Sequence, residues 1–327
     1  MRLFVTGGAG FIGSAVTAEL LSQGHEVMVY DSLVTGHRGA VPDKAHFVGE
    51  DLLDEKALKQ ALSSKIFDAV LHFAAFIEAG ESMADPGKYF RNNLEGSFRL
   101  IQAVHQAGIE RFVFSSSAAV YQTSDEPLTE DSPLGPQNTY GQTKLMIEQV
   151  LHWYQIVHGM RYAALRYFNA AGALPGMGEA HQPESHLIPL TLQVALGQRE
   201  SVAIFGSDYP TQDGTCIRDY IHLADLVSAH VLALNALESQ NELICNIGSG
   251  HGYSVLEVVE MARRVTGHAI PSVETPRRPG DASRLVASAE KIKKELGWEA
   301  KYSSLDHIIL SAWDWHRAHP NGYTEKE

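Results

Sequence analysis

The stretch TGGAGFIG, residues 6–13, follows the apolar run LFV at once and opens into a helical pattern. Gly7, Gly10 and Gly13 fit G-x-x-G-x-x-G, and Gly8, Gly10 and Gly13 also satisfy G-x-G-x-x-G. Between a strand and a helix, missing side chains permit a tight turn, let the backbone approach a pyrophosphate, and let helix and strand pack closely. The helix N-terminus then faces the phosphate charge. A second strand-like run, EVMVY, ends in Asp31, eighteen positions after Gly13. A carboxylate there accepts hydrogen bonds from both ribose hydroxyls of an adenosine and repels a 2′-phosphate, so NAD is expected rather than NADP. Arg38 lies close by and keeps a phosphate reading open.

Outward from this loop, short β-rich runs alternate with amphipathic helical ones up to about residue 170. Strands are expected at 3–5, 26–30, 46–48, 69–73, 112–115 and 162–165, with helices between them. Such alternation reads as a doubly wound α/β fold, a parallel sheet of the Rossmann type with helices on both faces. After Asn169 the texture changes to AAGALPGMGEAHQPESHLIP, a long loop rich in glycine, proline and small residues. Helices are then expected at 187–196, 224–237, 254–265, 289–296 and 305–318. The reading divides the chain into a NAD-binding domain, 1–170, and a smaller mixed α/β substrate domain, 171–327. A return to the first domain is expected around 215–250, where ELICNIGSG reads as a strand and turn rejoining the first sheet.

Bulk properties exclude several classes of function. With 327 residues, 44% of them hydrophobic and 20% charged, the chain can bury a large core. A net charge of −13 would repel nucleic acid and anionic membrane over much of the surface, so neither is an expected partner. An anionic small molecule would need local arginines and helix N-termini. Cys216 and Cys245 are the only cysteines; they make no disulfide framework, and no metal site is read from the sequence. No apolar run is long enough to span a bilayer and none reads as a signal peptide, so the reducing cytoplasm is the expected compartment.

The chemistry concentrates in two further stretches. RFVFSSSAAVY, residues 111–121, is a buried strand ending in three serines, and the carboxyl ends of strands in open parallel sheets carry the reacting groups. NTYGQTKLMIEQV, residues 138–150, opens a helix. Thr139 and Gln142 form a T-x-x-Q capping box that would start it near Tyr140. Tyr140 and Lys144, four apart, then share one helical face. A free phenol, with a pKa near ~10, is a poor base at neutral pH. An ammonium nearby and a cationic nicotinamide would favour the phenolate, and a serine hydroxyl could hold the substrate oxygen between them.

Together these residues resemble the extended short-chain dehydrogenase/reductase family, within it the branch of UDP-glucose 4-epimerases. TGGAGFIG, HFAA (72–75), GES (80–82), NN (92–93), FSSSAAVY, YGQTK, LRYFNAAGA (165–173), FGSDYPTQDGTCIRDYIH (205–222), NIGSG (246–250) and RRPGD (277–281) follow one another in that branch's order. The resemblance covers nearly the whole chain. It implies interconversion of UDP-glucose and UDP-galactose by transient oxidation at C4 with NAD, commonly as a homodimer. It implies Tyr140 as base and acid, Lys144 as its electrostatic partner and ribose ligand, and Ser117 as donor to the substrate, with Ser115 or Ser116 if the register slips. Implied NAD contacts are Gly7, Gly10, Phe11, Ile12, Gly13, Asp31, Ser32, Asp51, Leu52, Phe73, Ala74, Ala75, Asn92, Ser115, Tyr140, Lys144, Tyr167 and Phe168. Arg218 and Arg278 are implied as diphosphate ligands, Asn169, Phe205 and Asp281 as lying nearer the sugar or uridine, and Ser117, Tyr140, His186, Leu187, Ala203 and Tyr220 as further substrate contacts.

The sequence departs from that branch in places. ESHLIP stands where many relatives carry an asparagine pair, so Ser185 and His186 occupy a position expected to contact the diphosphate. Ile77 replaces a frequent lysine, and Leu285 occupies a position that governs whether an N-acetylated sugar fits. A sugar-nucleotide dehydratase or decarboxylase is the competing enzyme reading. Ala118 and Ala119 follow Ser117 where a 4,6-dehydratase needs an Asp-Glu pair. A non-catalytic NAD-binding regulator is the alternative outside enzymology.

Overall fold

The computed structural model describes residues 1–278 and 281–324. Its strands, in chain order, are β1 (Arg2–Thr6), β2 (Glu26–Tyr30), β3 (His46–Val48), β4 (Ala69–His72), β5 (Arg111–Ser117), β6 (Arg161–Tyr167), β7 (Asn169–Ala171), β8 (Val202–Phe205), β9 (Ile217–His222), β10 (Glu242–Ile247), β11 (Gly252–Ser254), β12 (Ser272–Thr275) and β13 (Arg284–Leu285). Seven of them form one parallel sheet in the order β10-β6-β5-β4-β1-β2-β3. The strand order reverses beside β1, which opens a crevice beyond the carboxyl ends of β1 and β4.

Alternation of side chains along each strand supplies both faces with apolar groups. Leu3, Val5, Val27, Val29, Ala69 and Leu71 face the helices Phe11–Ser22 and Leu223–Ala236. Their neighbours Phe4, Met28, Tyr30, Val70, Phe112 and Phe114 face the helices Glu55–Ser63, Gly96–Gln106 and Thr139–His158. A sheet covered on both sides has near-continuous apolar strands, as here. Truncating one such ring, Phe112 for instance, to alanine costs about 3–5 kcal/mol.

The remaining strands build small sheets over the carboxyl edge. β9 pairs with β7, β11 and β13, while β8 and β12 form a separate ribbon. Ile188, Leu192, Val258, Val259, Ile308, Ile309 and Trp313 form the core there, between the helices Leu187–Ala195, Val255–Thr266 and Leu305–Ala318. The chain rejoins the large sheet through the helix Leu223–Ala236 and β10, which pairs with β6; residues 217–222 stay with the small sheet. Buried Asp225 at the start of that helix accepts from the Lys301 and Tyr302 amides at 2.9 Å and from Ser303 Oγ at 2.7 Å. One carboxylate thereby fixes the approach to the last helix.

One local expectation needs correction. Thr139 does not cap the helix that carries Tyr140: it is the first helical residue, and Asn138 is the cap, its Oδ1 accepting from the Gly141 amide at 2.8 Å. Asn is as good a cap as Thr or better, worth about 1 kcal/mol over alanine. The helix closes at Gly159, which adopts φ 70°.

Candidate active site

The glycine loop adopts the shape its sequence demands. Gly7 has φ 71°, a left-handed conformation, and a Cβ there would strike the Ala74 backbone. A Cβ at Gly13 would strike the Gly7 carbonyl, so this glycine sets how closely helix and strand approach. Gly10 differs: its backbone is extended, and a Cβ would meet only Gly7 O at 3.4 Å. The fold tolerates a side chain there; the cavity in front of it would not. The helix Phe11–Ser22 that follows has no side-chain cap, leaving first-turn amides for an anion.

That cavity has a volume of about 830 Å³ and runs along the carboxyl edge of β1, β2, β4 and β5. Every residue expected to touch NAD lines it, from Gly7 through Phe168. Asp31, at the end of β2, accepts from Ala9 N and Leu33 N, each at 2.9 Å, which aims its carboxylate along the loop. Burial raises its pKa and those two amides lower it. Arg38 does not line the cavity; its guanidinium lies 4.7 Å from the Phe47 ring centroid. With the acid inside and the arginine outside, the lining residues fit NAD and set a carboxylate where a 2′-phosphate would be repelled.

At the β5 end the three serines take three different partners. Ser115 Oγ meets the Tyr167 hydroxyl, and Ser116 Oγ donates to buried Glu148. Ser117 alone bonds the Tyr140 hydroxyl, and it also accepts from Ala119 N at 3.1 Å. Burial pushes the Tyr140 phenol up to about 12; the Ser117 bond opposes this and Glu78 adds to it. Lys144 Nζ donates to Ser115 O at 2.7 Å and lies 5.7 Å from the Tyr140 ring centroid. Burial brings its ammonium down to about 7, against the pull of Glu148. The expected lysine-driven acidification of the phenol is thus not delivered by the chain alone. Burial acts on both groups and outweighs their proximity.

Several supports were invisible in the sequence reading. Glu148, one turn beyond Lys144, is gripped by Arg166 at 2.6 Å, both side chains being about 5% exposed or less. Arg166 Nη1 also donates to the Tyr121 hydroxyl, which donates to Asn246 Oδ1. Asn93, beside the expected Asn92, sits in a π-helical turn over Phe90–Glu95 and bonds both N and O of Phe76 at 2.9 Å. His72 is buried between Thr6 and Ser97, and burial drives it down to about 3, so it is neutral. Glu148 with Arg166 joins a helix to a strand, and Asn93 with Phe76 joins a π-helical turn to a loop, so neither pair leaves a local pattern.

A second cavity of about 250 Å³ adjoins the first, and Tyr140, Ser185, His186 and Arg278 line both. Arg218, Asp281 and Leu285 line the smaller one. Arg218 is ion-paired with Asp281 through one carboxylate oxygen, and both line this cavity. Arg278 stacks its guanidinium 3.9 Å from the Phe205 ring centroid. Arg277 instead pairs with Asp208 at 2.6 Å on the exposed surface. Pro279 and Gly280 of the RRPGD motif lie outside the described residues. Asn169, Leu187 and Tyr220 line the larger cavity. Ala203 and Phe205 lie two apart on β8, where Phe205 underlies Arg278 at the rim of both cavities. His186 lines both cavities, with its Nδ1 turned toward Glu179 at 2.6 Å and Glu184 at 3.2 Å.

This geometry is that of a dinucleotide-binding α/β protein with a serine, a tyrosine and a lysine at the carboxyl edge of its sheet. The chain belongs to the NAD dependent epimerase/dehydratase family, whose pattern matches residues 3–248. It is 48% identical to the UDP-glucose 4-epimerase of Lacticaseibacillus casei over the full length of both chains. It is 49% identical to that of Halalkalibacterium halodurans, covering 99% of this chain and 98% of that one. Among solved structures, the UDP-glucose 4-epimerase of Bifidobacterium longum in complex with NAD+ and UDP superposes with a TM-score of 0.95 at 36% identity, covering 99% of this chain and 100% of that one.

Proposed function

We infer that the activity of this chain, the NAD-dependent interconversion of UDP-glucose and UDP-galactose, is carried by Tyr140 at the rim shared by the two cavities. The observation that carries this reading is that one phenol, bonded to Ser117, lines both the dinucleotide cavity and the arginine-lined one. NAD would lie over the glycine loop, with Asp31 on the adenosine ribose and its phosphates at the helix Phe11–Ser22 N-terminus. When bound, it supplies a cationic ring and a reversible hydride acceptor, through which C4 of the sugar is oxidised and then reduced on its other face.

The chain's own groups handle the proton. Tyr140 Oη takes it from the sugar C4 hydroxyl and later returns it, while Ser117 Oγ holds the same oxygen in line. Lys144, buried and readily neutralised, positions the phenol through the β5 end and holds the ribose. Arg218, fixed by Asp281, and Arg278, braced on Phe205, grip the diphosphate bidentately. Anchoring the nucleotide and leaving the hexose loosely held lets the sugar present either face.

Replacing Tyr140 by Phe keeps the ring and removes the proton carrier. Turnover of UDP-galactose is expected to fall roughly 10²–10⁴-fold while NAD remains bound after gel filtration. A Tyr140→Phe enzyme with near-native turnover would sink the assignment.

Self-association is proposed through the helices Gly96–Gln106 and Thr139–His158, where Phe98, Trp153, Ile156 and Val157 stand 43–63% exposed on the outer surface. Light scattering giving a monomer at micromolar concentration would end that idea. No described helix is long and apolar enough to cross a membrane. Both cysteines are free and buried, in keeping with a cytoplasmic site, which cell fractionation would test.

A further inference from the structure

The loop between β7 and the helix Leu187–Ala195 carries a cluster to which the proton transfer assigns no step. Glu179, His181, Glu184 and His186 each place one ligand-type atom in a single cluster, all four atoms within 4.8 Å of one another. His181 Nδ1 lies 3.0 Å from Glu179 Oε1, and His186 Nδ1 lies 2.6 Å from that same oxygen and 3.2 Å from Glu184 Oε1. Both carboxylate side chains are only 5–6% exposed.

We propose that Glu179, His181, Glu184 and His186 bind a zinc-class divalent cation that fixes this loop over the nucleotide cleft. Two imidazoles and two carboxylates are the mixed nitrogen and oxygen set that zinc accepts in tetrahedral sites, whose ligand atoms stand about 3.4 Å apart. Four protein ligands leave no open position, so the ion is structural. Charge is compatible with this: two carboxylates neutralise a dication when both imidazoles are neutral.

The surroundings are already organised for such a role. Glu184 Oε1 accepts from the main-chain N–H groups of Ser185 and His186 at 2.8 Å, which orients the carboxylate. The Glu179 carbonyl accepts from Trp315 Nε1 at 3.3 Å, and the Gly178 N–H donates to the Tyr323 hydroxyl at 3.0 Å, so the last helix and the chain beyond it brace one end of the loop. At the other end Ser185 donates to Glu78 across the cleft, and Ser185 and His186 line both cavities. An ion bound here would hold those two residues in place against the substrate cleft. The ligand spacing, E-x-H-x-x-E-x-H, fits no common metal motif, so the sequence reading passed over it.

Tag-free full-length protein, dialysed against a chelator, would be titrated with zinc chloride against a chromophoric competitor, and separately with cobalt(II), magnesium and calcium. The expected result is one zinc per chain, intense visible cobalt bands of tetrahedral type, and no competition from magnesium or calcium. His181→Ala and Glu184→Gln are each expected to weaken zinc by roughly 10²-fold or more, since even supporting residues of metal sites are worth 10–100-fold. Failure of the wild-type chain to take up stoichiometric zinc would overturn the proposal without reference to any variant, as would undiminished uptake by both variants. Because the readout is metal content, it stands apart from epimerase activity.

Discussion

The two sides of the cleft are built by different means. On the cofactor side, a single continuous segment from β1 into the helix Phe11–Ser22 makes the cradle, and its side chains are mostly absent. On the sugar side, Arg218 from β9, Arg278 and Asp281 from a loop, and Ser185 and His186 from another loop converge from separate elements. The first is a backbone site, specified by where side chains are missing. The second is a side-chain site, specified by how small sheets stack on a large one. Backbone sites should fail through fold or cofactor, and side-chain sites through substrate affinity.

The largest effects should fall on the cradle, and they should divide there. Gly13→Val drives a side chain into the Gly7 carbonyl, so the variant is expected to lose cooperative unfolding or accumulate insoluble. Gly10→Val meets no such obstacle; it is expected to keep the melting profile while losing NAD, read as cofactor released on denaturation. Equal behaviour of the two variants would erase the distinction between a packing glycine and a ligand-facing one.

A smaller effect is expected across the cleft. Arg218→Ala removes a charge-assisted contact to phosphate, worth about 1.5–3 kcal/mol, so KM for UDP-galactose should rise roughly 10–150-fold with NAD content unchanged. Asp281→Asn should raise it less, since it leaves the guanidinium in place and removes only its ion-pair partner. A loss in Asp281→Asn exceeding that of Arg218→Ala would return the aspartate to direct substrate contact.

The smallest is a check on the helix that links the two sides. Asn138→Ala deletes the cap ahead of Tyr140 and is expected to lower stability by about 1 kcal/mol, measured by urea unfolding. An equal loss from Thr139→Ala would restore the capping role to the threonine.

Much of the cofactor side was legible because its signals are local. Periodicity gave the strands to within about two residues, β2 and β3 included, and TGGAGFIG with Asp31 marked the crevice. Tyr140 and Lys144 were legible from helical spacing, while the end of β5 left three serines open and Ser117 was named among them by resemblance. The rest failed for stated reasons. A cap one residue early at Asn138 competes with a plausible box at Thr139. Glu148 and Arg166 meet across 18 residues and Asn93 meets Phe76 across 17, so neither contact has a motif. Ala203 was named by resemblance alone, with no local signal on β8 to mark it.

The sequence by itself determined the doubly wound sheet, the glycine cradle and the tyrosine-lysine face, since each depends on periodicity or on a missing Cβ within a few residues. Only the tertiary structure decided which of three serines meets the phenol, that burial rather than the lysine dominates the phenol's acidity, and that two histidines and two glutamates of one loop face inward together. Those outcomes depend on desolvation and on distances between elements far apart in the chain, and neither quantity exists until the sheets have packed.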